Sequence, residues 1–241
     1  MKATLTLLSA FLIALGVAQS KPLPGKMDEF YFHAANIELL QAKPVQKEIG
    51  VTEAQRNRMN DFADIHRGRL STLEAEYKKA KKNPREVTKD PKLVGFFYEL
   101  KLNVMRTLQP AQLKRLGEIS LQQVGLAALT DEIVAKKVGM SKAQLEKMRA
   151  AFKAGGTKYA AAERAAANPV LTKYKDKHVK DKKEAEAMQK QFDADMHAAM
   201  QRASPNLTGI RAAAEKSMKA ILTSSQLSKY QALLGRKFSP G

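Results

Sequence analysis

The sequence predicts an all-α fold, and three observations carry that expectation. Ala, Lys, Leu, Gln, Met and Glu dominate the chain, and these are good helix formers. Apolar residues recur every three or four positions, the spacing of one helix face. β-branched residues are sparse and few segments alternate, so no sheet is expected.

The elements follow in chain order. Residues 1–20 read as a signal peptide: Lys2 precedes the apolar run Leu5 to Val17, and Ala18-Gln19-Ser20 supplies small residues before a cut at Lys21. That run is short for a membrane span, and no later apolar stretch is long enough. The expected location is therefore periplasmic or secreted. Residues 21–36 read as an N-terminal tail. Pro44 suits a first helical turn, and Gly50 is placed to close that helix. Met59, Phe62, His66, Leu70, Leu73 and Tyr77 form one apolar stripe. Leu93, Phe97, Leu100, Val104 and Leu108 form a second. Ala185, Met188, Phe192, Met196, Ala199 and Ala203 form a third, and Leu207, Ile210, Ala214, Met218 and Ile221 a fourth. Asn83-Pro84, Asp90-Pro91, Gly155-Gly156, Asn168-Pro169 and Ser204-Pro205-Asn206 read as breaks between helices.

Composition narrows the chemistry. There is no Cys among the 241 residues, so disulfides, thiolate nucleophiles and Cys-based metal sites are excluded. Stability must come from packing. The net charge is +18, or +17 once Lys2 leaves with the leader. Such a surface attracts anions such as acidic polymers, lipid headgroups or acidic protein patches, and it also keeps a protein soluble.

The chain repeats itself. Val45–Met59 aligns with Val134–Met148, identical at six of fifteen positions, including Gly50/Gly139, Ala54/Ala143 and Gln55/Gln144. Downstream, Leu108-Gln109-Pro110-Ala111-Gln112-Leu113 answers Leu222-Thr223-Ser224-Ser225-Gln226-Leu227. The order is A–B–A–B. It predicts two related helical-hairpin units, 37–125 and 126–241, the second with about 25 extra residues in a longer basic hairpin.

The repeated motif is mechanical. Thr or Ser followed three residues later by Gln is a capping box: the hydroxyl accepts from the N3 backbone N–H, and the Gln side chain returns to the N-cap N–H. It is expected at Thr52–Gln55, Ser141–Gln144 and Thr223–Gln226. At Gln112 the hydroxyl is replaced by Gln109, with Pro110 as a favoured first helical residue. Leu108, Met140 and Leu222 stand before their caps, facing Leu113, Leu145 and Leu227 in a hydrophobic staple; Arg56 leaves the first copy without one.

These motifs carry a resemblance. An export signal, a helical pattern, a basic surface and paired Leu-Thr-x-x-Gln segments resemble the Spy and CpxP type of periplasmic stress proteins, a family named for its LTxxQ motif. Leu222–Gln226 matches fully, Val51–Gln55 and Met140–Gln144 match conservatively, and Leu108–Gln112 matches without the Thr. The resemblance implies long helices in a curved hairpin arrangement. It also implies ATP-independent binding of unfolded or aggregation-prone proteins on a basic, partly apolar concave face. Some relatives bind or sense metal. Members carry two motifs and build cradles by dimerising; the duplication here implies a similar pseudo-dimer within one chain.

Sites of other kinds are thin. There is no Gly-rich phosphate loop, no His-Glu-x-x-His and no Gly-x-Ser-x-Gly, so no enzyme and no cofactor are expected. Asp193 and Asp195 read as solvated charges, because residues two apart do not share a helix face. His33, His66, His178 and His197 lack partners at the spacing that puts two ligands on one face, and His66 falls on an apolar stripe as a packed residue. Met188, Met196, Met200 and Met218 suit either core packing or adaptable binding. Aromatics make up 6% of the chain and fall mostly on the stripes, leaving few to stack on bases, so no specific nucleic-acid partner is expected.

The expected function is an exported chaperone-like protein that holds unfolded clients on apolar helix faces. Its rim would be Lys78, Lys79, Lys81, Lys82, Lys173, Lys175, Lys177, Lys180, Lys182 and Lys183. The alternatives are a basic envelope or polyanion binder working by charge alone, and a metal-responsive accessory protein.

Overall fold

The computed structural model describes residues 27–81, 83, 87, 90–175, 177 and 181–240. The leader reading at 1–20, His178, and the rim residues Lys82 and Lys180 lie outside them. Among the described residues there are nine α-helices, two 3₁₀ segments and no strand. The helices are α1 (Glu29–Ala34), α2 (Lys43–Ile49), α3 (Glu53–Lys79), α4 (Pro91–Arg106), α5 (Pro110–Val124), α6 (Glu132–Val138), α7 (Lys142–Tyr174), α8 (Lys182–Lys219) and α9 (Ser224–Leu233). The 3₁₀ segments are Ile37–Gln41 and Gly125–Thr130. No described helix is long and apolar enough to cross a membrane.

The chain folds as two compact units whose bounds differ from those of the sequence repeat. The first holds the described residues from Met27 to Met140 together with those from Ser225 onward; the second is the described part of Ser141–Ser224. In the first, Phe32, Leu40, Val45, Ile49, Met105, Leu116 and Ile119 form the core, drawn from α1, the first 3₁₀ segment, α2, α4 and α5. The stretch expected as a tail therefore contributes to the centre: α1 lies within it, and Phe32 is 2% exposed. α3 and α4 form a hairpin with a small apolar cluster of its own, Tyr77, Leu93 and Phe96.

The second unit is a hairpin of two long helices, α7 with 33 residues and α8 with 38. Three expected breaks lie inside them. Gly155-Gly156 and Pro169 are within α7, and Pro205 is within α8. The third and fourth apolar stripes are thus one stripe: Ala199, Ala203, Leu207 and Ile210 keep helical spacing across Pro205 and stay at least partly buried. Both proline rings are exposed, so they cost local hydrogen bonds without breaking the buried face. Gly155 is needed for close approach, since a Cβ there would lie 2.6 Å from the Ala214 Cβ.

Candidate functional site: paired helix starts and hairpin faces

Each A motif begins with a short helix closed by glycine. Gly50 and Gly139 are left-handed, at φ 69° and 84°, where residues with a Cβ are strained. Both closures are Schellman motifs. Gly50 N donates to Lys47 O at 3.2 Å and Val51 N to Gln46 O at 2.9 Å. Gly139 N donates to Lys136 O at 3.0 Å and Met140 N to Ala135 O at 2.9 Å. The capping boxes then start the long helices. Thr52 N donates to Gln55 Oε1 at 3.0 Å and Gln55 N to Thr52 Oγ1 at 3.2 Å. Ser141 N donates to Gln144 Oε1 at 3.0 Å and Gln144 N to Ser141 Oγ at 3.2 Å. In the first B motif, Gln112 Oε1 accepts from Gln109 N at 2.8 Å.

The motif glutamines also do something that capping does not require. The amide of Gln55 reaches Thr107 O at 2.7 Å, just before the Leu108 motif, and the amide of Gln112 reaches Gly50 O at 2.7 Å. The second copy repeats both bonds at equivalent positions. Gln144 Nε2 donates to Ile221 O at 3.0 Å, and Gln226 Nε2 donates to Gly139 O at 2.8 Å. Each A glutamine thus ties down the approach to its B motif, and each B glutamine ties down the closing glycine of its A motif. Leu108, Leu113 and Leu145 are buried, and Arg56 is exposed.

The lysines expected as a rim lie at the hairpin ends. Lys78 and Lys79 close α3 and Lys81 follows, all exposed. Lys173, Lys175, Lys177, Lys182 and Lys183 surround the end of the α7–α8 hairpin, also exposed. Not all of this charge is free. Lys173 Nζ lies 2.6 Å from Asp195, and Lys177 sits 4.6 Å from the centre of the Tyr174 ring. Asp195, expected to be solvated, also accepts from Tyr174 Oη at 2.8 Å and from Gln191 at 3.0 Å. Bonds from Lys173, Tyr174 and Gln191 lower its pKa to about 2. Asp193 is exposed and accepts from Gln189.

Large apolar side chains are exposed at Ile65 on α3 and at Phe152 and Leu171 on α7. Between α7 and α8 a groove of about 530 Å³ is lined by Ala151, Gly155, Lys158, Pro205, Ile210 and Ala214.

Lys101, Arg115 and Gln122, each at least partly buried, escaped the sequence reading. Lys101 is 5% exposed, donates to His33 O at 3.2 Å and lies 5.1 Å from the centre of the Phe32 ring. Burial lowers its pKa to about 8, against the opposing pull of Asp131. Arg115 joins Glu48, at 2.7 Å, to Glu118, at 2.9 Å, and donates to Arg236 O at 2.8 Å. Gln122 fastens the C-terminal segment, donating to Leu234 O and Arg236 O and accepting from Phe238 N. His66, expected as a packed residue on its stripe, is 3% exposed, with Nδ1 buried and unpartnered and Nε2 3.4 Å from Asn103 Nδ2. His33 is half-buried, and burial lowers its pKa. His197 is exposed. Among the described residues no three His, Asp or Glu side chains gather as metal ligands. Met188, Met196 and Met200 are partly buried and Met218 is buried, all on or beside the α8 stripe.

Comparison with protein-family models, curated proteins and solved structures found no match.

Proposed function

We propose that this protein is an exported, ATP-independent binder of unfolded or aggregation-prone polypeptides. The observation that carries the reading is where its exposed apolar side chains fall. Ile65, Phe152 and Leu171 stand on the long hairpin helices, each within three positions of a basic residue: Arg67, Arg149 and Lys153, and Lys173. Apolar contacts of this kind accept many sequences, and a basic surround draws acidic segments and keeps the complex soluble. The groove between α7 and α8, with Lys158 on its edge, offers a further apolar strip. The four paired motifs support the same reading through the LTxxQ resemblance. No catalytic step belongs to this proposal.

A second reading, a basic envelope or polyanion binder, is favoured by the lysines at the hairpin ends. Salt separates the two, since contacts between exposed charges are screened within about 8 Å at physiological ionic strength. The test is suppression of light scattering by one acidic and one basic denatured client, without ATP, at low and physiological salt. Client binding through apolar faces predicts suppression of both clients at both salt levels. Suppression of the acidic client alone, and only at low salt, would favour charge binding instead.

A further inference from the structure

Among the described residues, the outer part of the α3–α4 hairpin is held by a small apolar cluster, exposed ion pairs and the Arg69 guanidinium 5.7 Å from the centre of the Phe96 ring. Its own apolar cluster is Tyr77, Leu93 and Phe96, supported by the half-buried Leu70, Leu73 and Phe97. Among the described residues the ion pairs across it, Arg69–Glu99 at 3.0 Å and Lys92–Glu76 at 3.5 Å, are at least half-exposed. Exposed pairs contribute little to stability. Beside the cluster sits His66, 3% exposed, its ring edge-on to Phe96 at 5.1 Å between centres. Nε2 faces the Asn103 amide, and Nδ1 has no partner.

That arrangement suits only a neutral ring. With Nε2 accepting from Asn103, the proton is on Nδ1, already a buried donor without an acceptor. A second proton turns Nε2 into a donor facing a donor. Rotating the Asn103 amide would relieve that clash but leave a buried cation. The charged groups facing the ring are Arg69 from α3, which opposes the cation, and Glu99 from α4, which favours it but is held by Arg69. Burial is the largest influence, and it keeps the ring's pKa below the ordinary value.

We propose that His66 is a proton-operated latch on the α3–α4 hairpin, closed when neutral, whose protonation releases the apolar surface of Tyr77, Leu93 and Phe96. The sign follows from the linkage. In the open hairpin the imidazole titrates near its ordinary value of about 6.5, and closure lowers it. The closed form is therefore fully favoured above about pH 6.5 and loses ground as pH falls below it, until the closed-state value is passed. Resting on the client-binding reading, this inference makes mild acid a signal that enlarges the binding surface.

The test uses the full chain, its His66→Phe variant and its Asn103→Asp variant. Two quantities are compared at pH 7.5 and pH 5: fluorescence of Nile red, an uncharged apolar dye, and hydrogen-exchange protection of the α4 amides. The natural chain gains dye fluorescence at pH 5, and its α4 protection factors fall several-fold. His66→Phe shows neither change, because its ring cannot be charged. Asn103→Asp places a carboxylate beside the imidazolium and keeps the hairpin closed at pH 5. An equal response in His66→Phe, or no response in the natural chain, would overturn the latch. Client suppression is measured in parallel. Its absence at both pH values alongside an intact dye response would strike the client-binding reading and uphold the latch.

Discussion

Gln55 and Gln112 exchange hydrogen bonds: Gln55 Nε2 lies 2.7 Å from Gln112 Oε1, and Gln112 Nε2 lies 3.1 Å from Gln55 Oε1. Each oxygen also accepts from its own cap, at Thr52 N and Gln109 N. The pair therefore joins two helix starts separated by 57 positions. Gln55→Ala and Gln112→Ala should each cost about 1–3 kcal/mol, the sum of a lost cap and the lost bonds to the other glutamine and to Thr107 O or Gly50 O. The double variant should lose about 1 kcal/mol less than the two singles together, because either change alone already breaks the exchange. Urea titration of the four proteins measures this. Strict additivity would mean that the two glutamines act independently of each other.

The glycine pair of α7 gives a prediction of opposite signs at neighbouring positions. Gly155 is packed against Ala214, whereas nothing lies within 4 Å of a Cβ added at Gly156. Gly155→Leu should separate α7 from α8 and destabilise the second unit by about 1–3 kcal/mol or more. Gly156→Ala should stabilise it by about 0.5–1 kcal/mol by restoring helix propensity. Thermal unfolding followed by far-UV circular dichroism distinguishes them.

Lys101 is a cost that the core carries. Its pKa is lowered to about 8 from an ordinary value of 10.5, chiefly by burial. A base whose folded-state value is depressed lends stability that is present at high pH and lost as pH falls. The natural protein should therefore weaken relative to Lys101→Met as pH falls from 10.5 to about 8, and the difference should then level off. At pH 7 the variant should be more stable by about 1–3 kcal/mol, as found when buried charges give way to apolar side chains of similar size. Chemical denaturation at pH 7, 8.5 and 10 measures the trend, and an unchanged difference across that range would refute it.

Gln122 holds the C-terminal segment with three bonds, to Leu234 O, Arg236 O and Phe238 N. Gln122→Ala should cost about 1–3 kcal/mol and free that segment from α5. Phe238, which packs on the main core, would then be exposed. Faster release of the C-terminal residues by a carboxypeptidase is the expected sign, and an unchanged rate would mean that the Arg115 bond to Arg236 O, the Arg236–Glu48 pair and the packing of Phe238 secure the segment without Gln122.

What could be read from the sequence was local. Caps at Thr52 and Ser141, closing glycines at 50 and 139, and stripes spaced by three or four depend on neighbours within one turn or two. The glutamine exchange could not be read that way. A capping box already accounts for the Gln, and the second role appears only when distant starts meet. Pro169 and Pro205 misled for the opposite reason. Their local preference against helix is real, but a continuous buried stripe and solvent-facing rings override it. Lys101 was passed over because of its charge, although it stands four residues after Phe97 and three before Val104, on the buried side of α4. Asp195 reads as solvated until the hairpin brings Lys173 and Tyr174 to it.

The most direct test of the account is affinity for the same polypeptide in two states. A fluorescently labelled, destabilised small domain is titrated with the Lys21–Gly241 protein at physiological salt, once unfolded and once held folded by its own ligand. Client binding through apolar faces makes the unfolded form bind at least about tenfold more tightly, a difference of about 1.4 kcal/mol, with little of it displaced by a soluble polyanion. Equal affinity for both forms, with full displacement by the polyanion, would contradict client binding and leave the basic surface as the whole of the interaction.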